Sequence, residues 1–77
     1  MDLPLFTIVR LSSDRYLSEG IGTGAIGCIV EVHRDDAYEV EFSREEDGIT
    51  IALLTLSPAE FAVVSVPETA AARSIGA

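Results

Sequence analysis

Apolar and polar side chains alternate along several short stretches of the chain, and this alternation predicts β-strands. It is clearest over residues 37–43, where a tyrosine, a valine and a phenylalanine alternate with two glutamates. Other stretches are rich in β-branched or apolar residues and lie between turn-forming residues. The five predicted strands span residues 6–11, 25–33, 37–43, 49–56 and 61–66.

The connections between these strands indicate how the strands are arranged. Residues 12–24, here called the first loop, form a connection that is too long for a tight hairpin. Residues 34–36 and 44–48 are short and polar, and the second of these turns ends in Asp-Gly, a strong hairpin signal. A long first loop followed by a tight meander of strands is typical of small SH3-like barrels.

A single helical turn is predicted at residues 57–60, before the last strand. A serine precedes a proline at the first helical position, and a glutamate occupies the capping-box position. We therefore predict an all-β fold, a small five-stranded SH3-like barrel over residues 1–66, with an OB-fold as the alternative. Residues 67–77 lack a strand pattern, and we predict a flexible tail, either disordered or a short helix.

The second strand alternates with a period of two, which places its even-numbered residues on one face and its odd-numbered residues on the other. We predict that its even-numbered residues, from 26 to 32, face inward, with Cys28 as a buried apolar side chain. Its odd-numbered residues, including Gly27, Ile29, Glu31 and His33, are then predicted to face outward.

The first loop contains a run of glycines that resembles a phosphate-binding motif only in its letters. Residues 22–27 match the pattern Gly-x-Gly-x-x-Gly, but that fingerprint requires a helix to follow it, and here a strand follows. We predict that these glycines bend the loop and let backbones approach closely. We also predict that Tyr16 and Leu17 fold back to cover one end of the core.

The composition makes the chain strongly acidic, which narrows the classes of partner. Thirteen aspartates and glutamates face five arginines and no lysine, for a formal net charge of -8. Because phosphate binding depends on Lys and Arg, we do not expect nucleic-acid binding. Acidity suits solubility or attraction to a basic protein. No stretch is long and apolar enough for a membrane helix and no signal peptide is visible, so we expect no membrane association and a cytoplasmic location.

Residues that could carry chemistry are few. His33 is the only histidine and Cys28 the only cysteine, which rules out an internal disulfide and leaves zinc without a ligand set. His33 lies near carboxylates, but no third group marks a catalytic set. We predict no catalytic residues, no metal site, no cofactor and no enzymatic activity.

Two surface features are candidates for binding a partner. The first is an acidic patch made by three glutamates of adjacent strands, here called the acidic row, and two aspartates at the turn that joins those strands. Like charges on neighbouring strands repel, so we expect either a staggered register or a partner that neutralises them, unless the face is merely solvated. The residues are Glu31, Glu39 and Glu41 in the acidic row, with Asp35 and Asp36 at the turn.

The second feature is the fourth strand, which is apolar on both faces. One set of side chains must face the core, and the other lies either under the first loop or in an exposed patch that marks an interface. Ile49, Ile51 and Leu53, here called the apolar strip, are the candidate interface residues.

Several blocks of the chain together resemble a family of small prokaryotic proteins catalogued as domain of unknown function 4926, over about residues 5–66. The resemblance implies a small β-barrel, transfers no catalytic residues, and implies small stand-alone proteins encoded beside toxin-like or other uncharacterised genes. The blocks are Val9-Arg-Leu11, Gly24-Ala-Ile-Gly27, Ile29-Val-Glu-Val32, Tyr38-Glu-Val-Glu-Phe42, Asp47-Gly48-Ile-Thr50 and Ala52-Leu-Leu-Thr-Leu56.

These observations predict a non-enzymatic protein-binding module that docks a basic partner, as an antitoxin or immunity protein would dock a basic toxin. The alternative is a structural module that forms homo-oligomers through residues 49–56. A KOW-like, RNA-associated module is a further alternative, which the negative charge disfavours.

Overall fold

The computed structural model describes residues 3–44 and 46–67, and in them the chain forms five β-strands. Two short 3₁₀ turns accompany the strands, at Leu17–Glu19 in the first loop and at Pro58–Glu60 where the helical turn is predicted. Beyond Pro67, the predicted tail lies outside the described residues. The strands are β1 (Ile8–Leu11), β2 (Ile26–Val32), β3 (Tyr38–Ser43), β4 (Thr50–Leu56) and β5 (Phe61–Ser65).

The strands form one antiparallel sheet in the order β4-β3-β2-β1-β5. The predicted all-β, five-stranded architecture is therefore confirmed. Within the described residues, β4 and β5 are the two edges and do not pair with each other, so the SH3-like barrel takes the form of an open sheet.

The hydrophobic core lies on one face of the sheet. In β3, Tyr38, Val40 and Phe42 are all buried, as their alternation predicts, and β4 adds Leu54 and Leu56 from the same face. Burying an apolar side chain of this size stabilises a fold by roughly 1.5–3 kcal/mol relative to leaving it exposed. In β3, the side chains that alternate with Tyr38, Val40 and Phe42 point to the opposite side of the sheet, here called the outer face.

The predicted inward face of β2 is wrong for the first half of the strand and right for Val32, which packs against the core beside Tyr38. Gly27 and Ile29 are buried, whereas Ile26 is 44% exposed and Cys28 is only half-buried. The core accepts a glycine here because a Cβ at Gly27 would lie only 2.6 Å from Val40 Cγ1. The sequence pattern favoured the face of Ile26 and Cys28 because Gly27, which occupies the crowded core face, has no side chain and so gives no apolar signal.

A β-bulge in β2 then restores the predicted orientation of Glu31. The pairing with β3 shifts between Ile29 and Glu31, which places Ile29 opposite the core residue Val40 and Glu31 opposite Glu39. Without this extra residue, Glu31 would share the buried face of Ile29. The bulge therefore places a carboxylate on the outer face.

The first loop covers one end of the core, but not with both of the predicted residues. Tyr16 is partly buried against the core, whereas Leu17 is 62% exposed. The fully buried residue of the loop is Ile21, which follows Gly20 in a left-handed conformation with φ +82°. A glycine adopts that conformation at little cost, and the chain can then turn Ile21 inward.

Candidate protein-binding surface

The acidic row lies on the outer face of the sheet, and its carboxylates are not staggered. Glu31 pairs directly with Glu39 across β2 and β3, and Glu41 follows on β3 opposite Cys28. Directly opposed like charges destabilise an antiparallel pair. The structure therefore rules out the staggered register as the way this repulsion is relieved.

A histidine relieves part of the repulsion. His33 Nε2 lies 2.8 Å from Glu39 Oε1, with 38% of the His33 side chain exposed. The hydrogen bond to Glu39, opposed by partial desolvation and supported by the charge of Glu31, raises the pKa of His33 above its ordinary value of 6.5. His33 thus has a local electrostatic role that its position at a strand end did not reveal.

Two threonines of β4 also donate hydrogen bonds to the acidic row. Thr50 Oγ1 donates to Glu41 Oε2 at 2.7 Å, and Thr55 Oγ1 donates to Glu39 Oε1 at 3.3 Å. Sequence reasoning missed both threonines: alternation in β4 places Thr55 on the outer face, whereas Thr50 reaches that face only because the pairing shifts between Phe42 and Ser43. Arg44 does not relieve the row, because its guanidinium pairs with Asp47 at 2.7 Å.

The apolar strip is exposed beside the acidic row. Ile49 is 54% exposed, Ile51 43% and Leu53 54%, so the first loop does not cover them. Leu53 lies directly opposite Glu41 in the pairing of β3 with β4. Leu53 and Glu41 therefore lie side by side on the outer face, with Ile51 in the irregular start of β4 and Ile49 immediately before the strand.

Glu41 is the centre of this surface. Across the outer face, the sheet register aligns Ile8, Cys28, Glu41 and Leu53 in one row, so Glu41 is the charged member of an apolar series. Burial, followed by the negative charge of Glu41, raises the pKa of the Cys28 thiol. A raised pKa keeps the Cys28 thiol protonated and uncharged, so the negative charge of this surface comes from the glutamates alone.

The two aspartates of the predicted acidic patch stand at the tip of the β2–β3 hairpin, beyond the acidic row. Asp35 and Asp36 are exposed and adopt positive φ angles of 64° and 58°. Aspartate tolerates this left-handed conformation better than most residues, which is a structural reason for its presence in the turn. The structure thus brings Glu31, Glu39 and Glu41 together with the apolar strip and leaves the aspartates at the end of that surface.

Another carboxylate, Glu60, has a different environment next to β5, at the opposite edge of the sheet from β4. Its Oε2 accepts hydrogen bonds from Arg15 Nη1 at 2.8 Å and from the Tyr16 hydroxyl at 2.7 Å. Its Oε1 accepts the Ser57 backbone N–H at 3.0 Å, which confirms the predicted capping box. Burial raises the pKa of Glu60, but the bonds from Ser57 and Tyr16 and the charge of Arg15 outweigh it, so the net pKa is lowered.

Within residues 3–44 and 46–67, no cluster of three or more histidine, cysteine, aspartate or glutamate side chains is arranged to hold a metal ion. The same part of the chain contains no helix with the length and hydropathy needed to cross a bilayer.

A comparison with known protein families identifies the group to which the chain belongs. The model of the family described as domain of unknown function DUF4926 matches residues 5–63 of the 77. The chain is a member of the DUF4926 family. No curated protein and no solved structure matches it. Membership in DUF4926 supports the resemblance found from the sequence blocks and assigns no activity.

Proposed function

We propose that this DUF4926 protein is a non-enzymatic binding module that docks a basic protein through the outer face of β3 and β4. The observation that carries the proposal is the adjacency of the acidic row and the apolar strip, centred on the pairing of Glu41 with Leu53. Apolar contact supplies affinity, while carboxylates steer a basic partner toward the surface and disfavour acidic ones.

The charge of the whole chain supports the same partner class. With a formal net charge of -8 and no lysine, the protein attracts a basic partner over a long range and repels nucleic acid. A basic toxin is a partner of this chemistry, and the module would act as its antitoxin or immunity protein by covering a positively charged surface. We propose the cytoplasm as the compartment, where a free thiol such as Cys28 stays reduced.

The test compares three tagged proteins expressed in the native host: the wild-type chain, a variant of the acidic row and a control with the same charge loss elsewhere. The variant is Glu31→Gln, Glu39→Gln and Glu41→Gln together. The control is Asp14→Asn, Glu19→Gln and Glu46→Gln, at three exposed positions outside the surface. Co-purified proteins are identified by mass spectrometry and their affinities are then measured with purified components by calorimetry.

We expect a strongly basic protein to bind the wild-type chain and the control alike, and to bind the acidic-row variant at least tenfold more weakly. If the variant and the wild-type chain bind the same partners with equal affinity, the proposed surface is wrong.

A second candidate function, homo-oligomer formation, is favoured by the exposed apolar strip next to an edge of the sheet. Light scattering coupled to size-exclusion chromatography distinguishes it. A mass of 8.2 kDa at all concentrations excludes the oligomer, and a concentration-dependent multiple of that mass supports it.

A further inference from the structure

Strand β4 is an edge strand that carries no charge. Thr50–Leu56 contains no charged residue and no proline, and in the described part of the chain it has a neighbour on one side only. Natural edge strands are usually protected by charges, proline, bulges or a covering segment. Here the pairing is irregular only at its start, between Phe42 and Ser43. The backbone N–H and C=O groups along the open side are therefore available to another strand.

The acidic row lies one strand behind this edge and has the repeat of a β-strand. Glu39 and Glu41 stand opposite Thr55 and Leu53, about 4.8 Å from β4 across the sheet and roughly 7 Å from each other along β3. A strand added to β4 would project every second side chain over the outer face, with the same spacing. The carboxylates therefore match alternate residues of an incoming strand.

We infer, on the basis of the proposed function, that the partner adds a basic strand to the open edge of β4, with arginine or lysine at every second position. The apolar stems of these long side chains cover Ile51 and Leu53, and their charged ends reach Glu39 and Glu41. The residues between them project toward the core side of β4, beside Leu54, and are apolar. In this binding mode the partner contacts the outer face of β4, the core-side face beside Leu54, and the backbone groups of its open edge.

Charge decides between this occupant and a second copy of the chain. Pairing β4 with β4 of another copy would join two chains that each carry a net charge of -8. It would also bring further threonine, isoleucine and leucine side chains to the edge, and none of these neutralises a carboxylate. A basic strand satisfies both the backbone edge and the acidic row, so we assign the edge to it.

The test uses three eight-residue peptides with the full-length ¹⁵N-labelled protein. The first alternates arginine and valine. The second has the same composition in the order Arg-Arg-Val-Val, so that only half of its arginines share a face. The third is the alternating peptide with every backbone nitrogen methylated, which keeps its side chains and charge but removes all amide donors. Affinity is measured by titration, and the site by amide shifts and hydrogen exchange.

We expect the alternating peptide to bind and to slow the exchange of amides in Thr50–Leu56 at least tenfold. We expect the other two peptides to bind at least tenfold more weakly. Equal affinity for the methylated peptide would overturn strand addition, and equal affinity for the paired-order peptide would overturn the alternate-residue match. Protection of β4 in a self-associated free protein would assign the edge to a second copy.

Failure of the alternating peptide to bind at millimolar concentration would also overturn this inference. That failure is separable from failure of the proposed function, because co-purification with the acidic-row variant tests charge-dependent docking without reference to the edge.

Discussion

The carboxylate of Glu60 and the carboxylates of the acidic row carry the same charge in opposite surroundings. Glu60 is 13% exposed in its side chain and receives bonds from Arg15, Tyr16 and Ser57, which lie in two distant parts of the chain. Glu31 and Glu39 stand directly opposite each other. The bonded carboxylate of Glu60 therefore stabilises the fold, whereas the repulsion within the acidic row is relieved only in part by His33 and would be relieved further by a positively charged partner.

The largest expected effect is on stability at Glu60. Replacing Glu60 with Ala removes a helix-turn cap and leaves the Tyr16 hydroxyl without its acceptor, so we expect the free energy of unfolding to fall by about 2 kcal/mol. Urea denaturation followed by circular dichroism measures the change. Glu19→Ala, at an exposed position of the first loop, is the matched control and should change the value by less than about 0.5 kcal/mol.

The pH dependence of that effect follows from the direction of the pKa shift. Because the pKa of Glu60 is lowered in the folded protein, its contribution is fully present above the ordinary value of 4.5 and is lost as the pH falls through the lowered value. The difference in unfolding free energy between the wild-type chain and Glu60→Ala should therefore decrease as the pH is lowered below 4.5. A difference that stays constant down to pH 2 would show that packing, and not charge, is responsible.

The acidic row should behave differently when its charges are removed. The triple variant Glu31→Gln, Glu39→Gln and Glu41→Gln loses both the mutual repulsion and the ion pair with His33, so these effects partly cancel. We expect the free energy of unfolding to change by less than about 0.5 kcal/mol. If the free energy of unfolding of the triple variant falls by more than about 1 kcal/mol in the same urea titration, the acidic row stabilises the fold, as Glu60 does, and the proposed difference between them is wrong.

The smallest effect concerns His33, and its pH dependence has the opposite sign. Because the pKa of His33 is raised by Glu39, the stabilisation from this pair is fully present below the ordinary value of 6.5 and is lost as the pH rises through the raised value. His33 is the only histidine, so its ring protons report one titration by NMR. We expect a pKa above 6.5 that falls in Glu39→Gln; an unchanged midpoint in that variant would contradict the assignment.

Local patterns predicted most of the fold, and contacts between distant residues account for most of what was missed. The alternation in β3, the Asp-Gly turn and the capping box at Glu60 are all encoded within a few residues, and all are present. The hydrogen bonds that Arg15 and Tyr16 donate to Glu60 join residues more than forty positions apart, which no local pattern reveals.

The candidate site was likewise predictable where it depends on local alternation and unpredictable where it depends on an irregularity in the sheet. The outward side chains of β3 follow from alternation, but the orientation of Glu31 depends on a bulge that no local signal marks. The inward turn of Ile21 likewise depends on the left-handed conformation of one glycine among several in the first loop.

The most direct test of the central claim is to map where a basic partner touches the protein. Amide shifts of the ¹⁵N-labelled chain would be recorded on addition of the partner that co-purifies with it, and compared between the two carboxylate regions. We predict that the perturbed amides concentrate in Tyr38–Ser43 and Thr50–Leu56 and spare Arg15, Tyr16 and Glu60. Perturbation centred on the first loop and Glu60, with β3 and β4 unchanged, would contradict the claim.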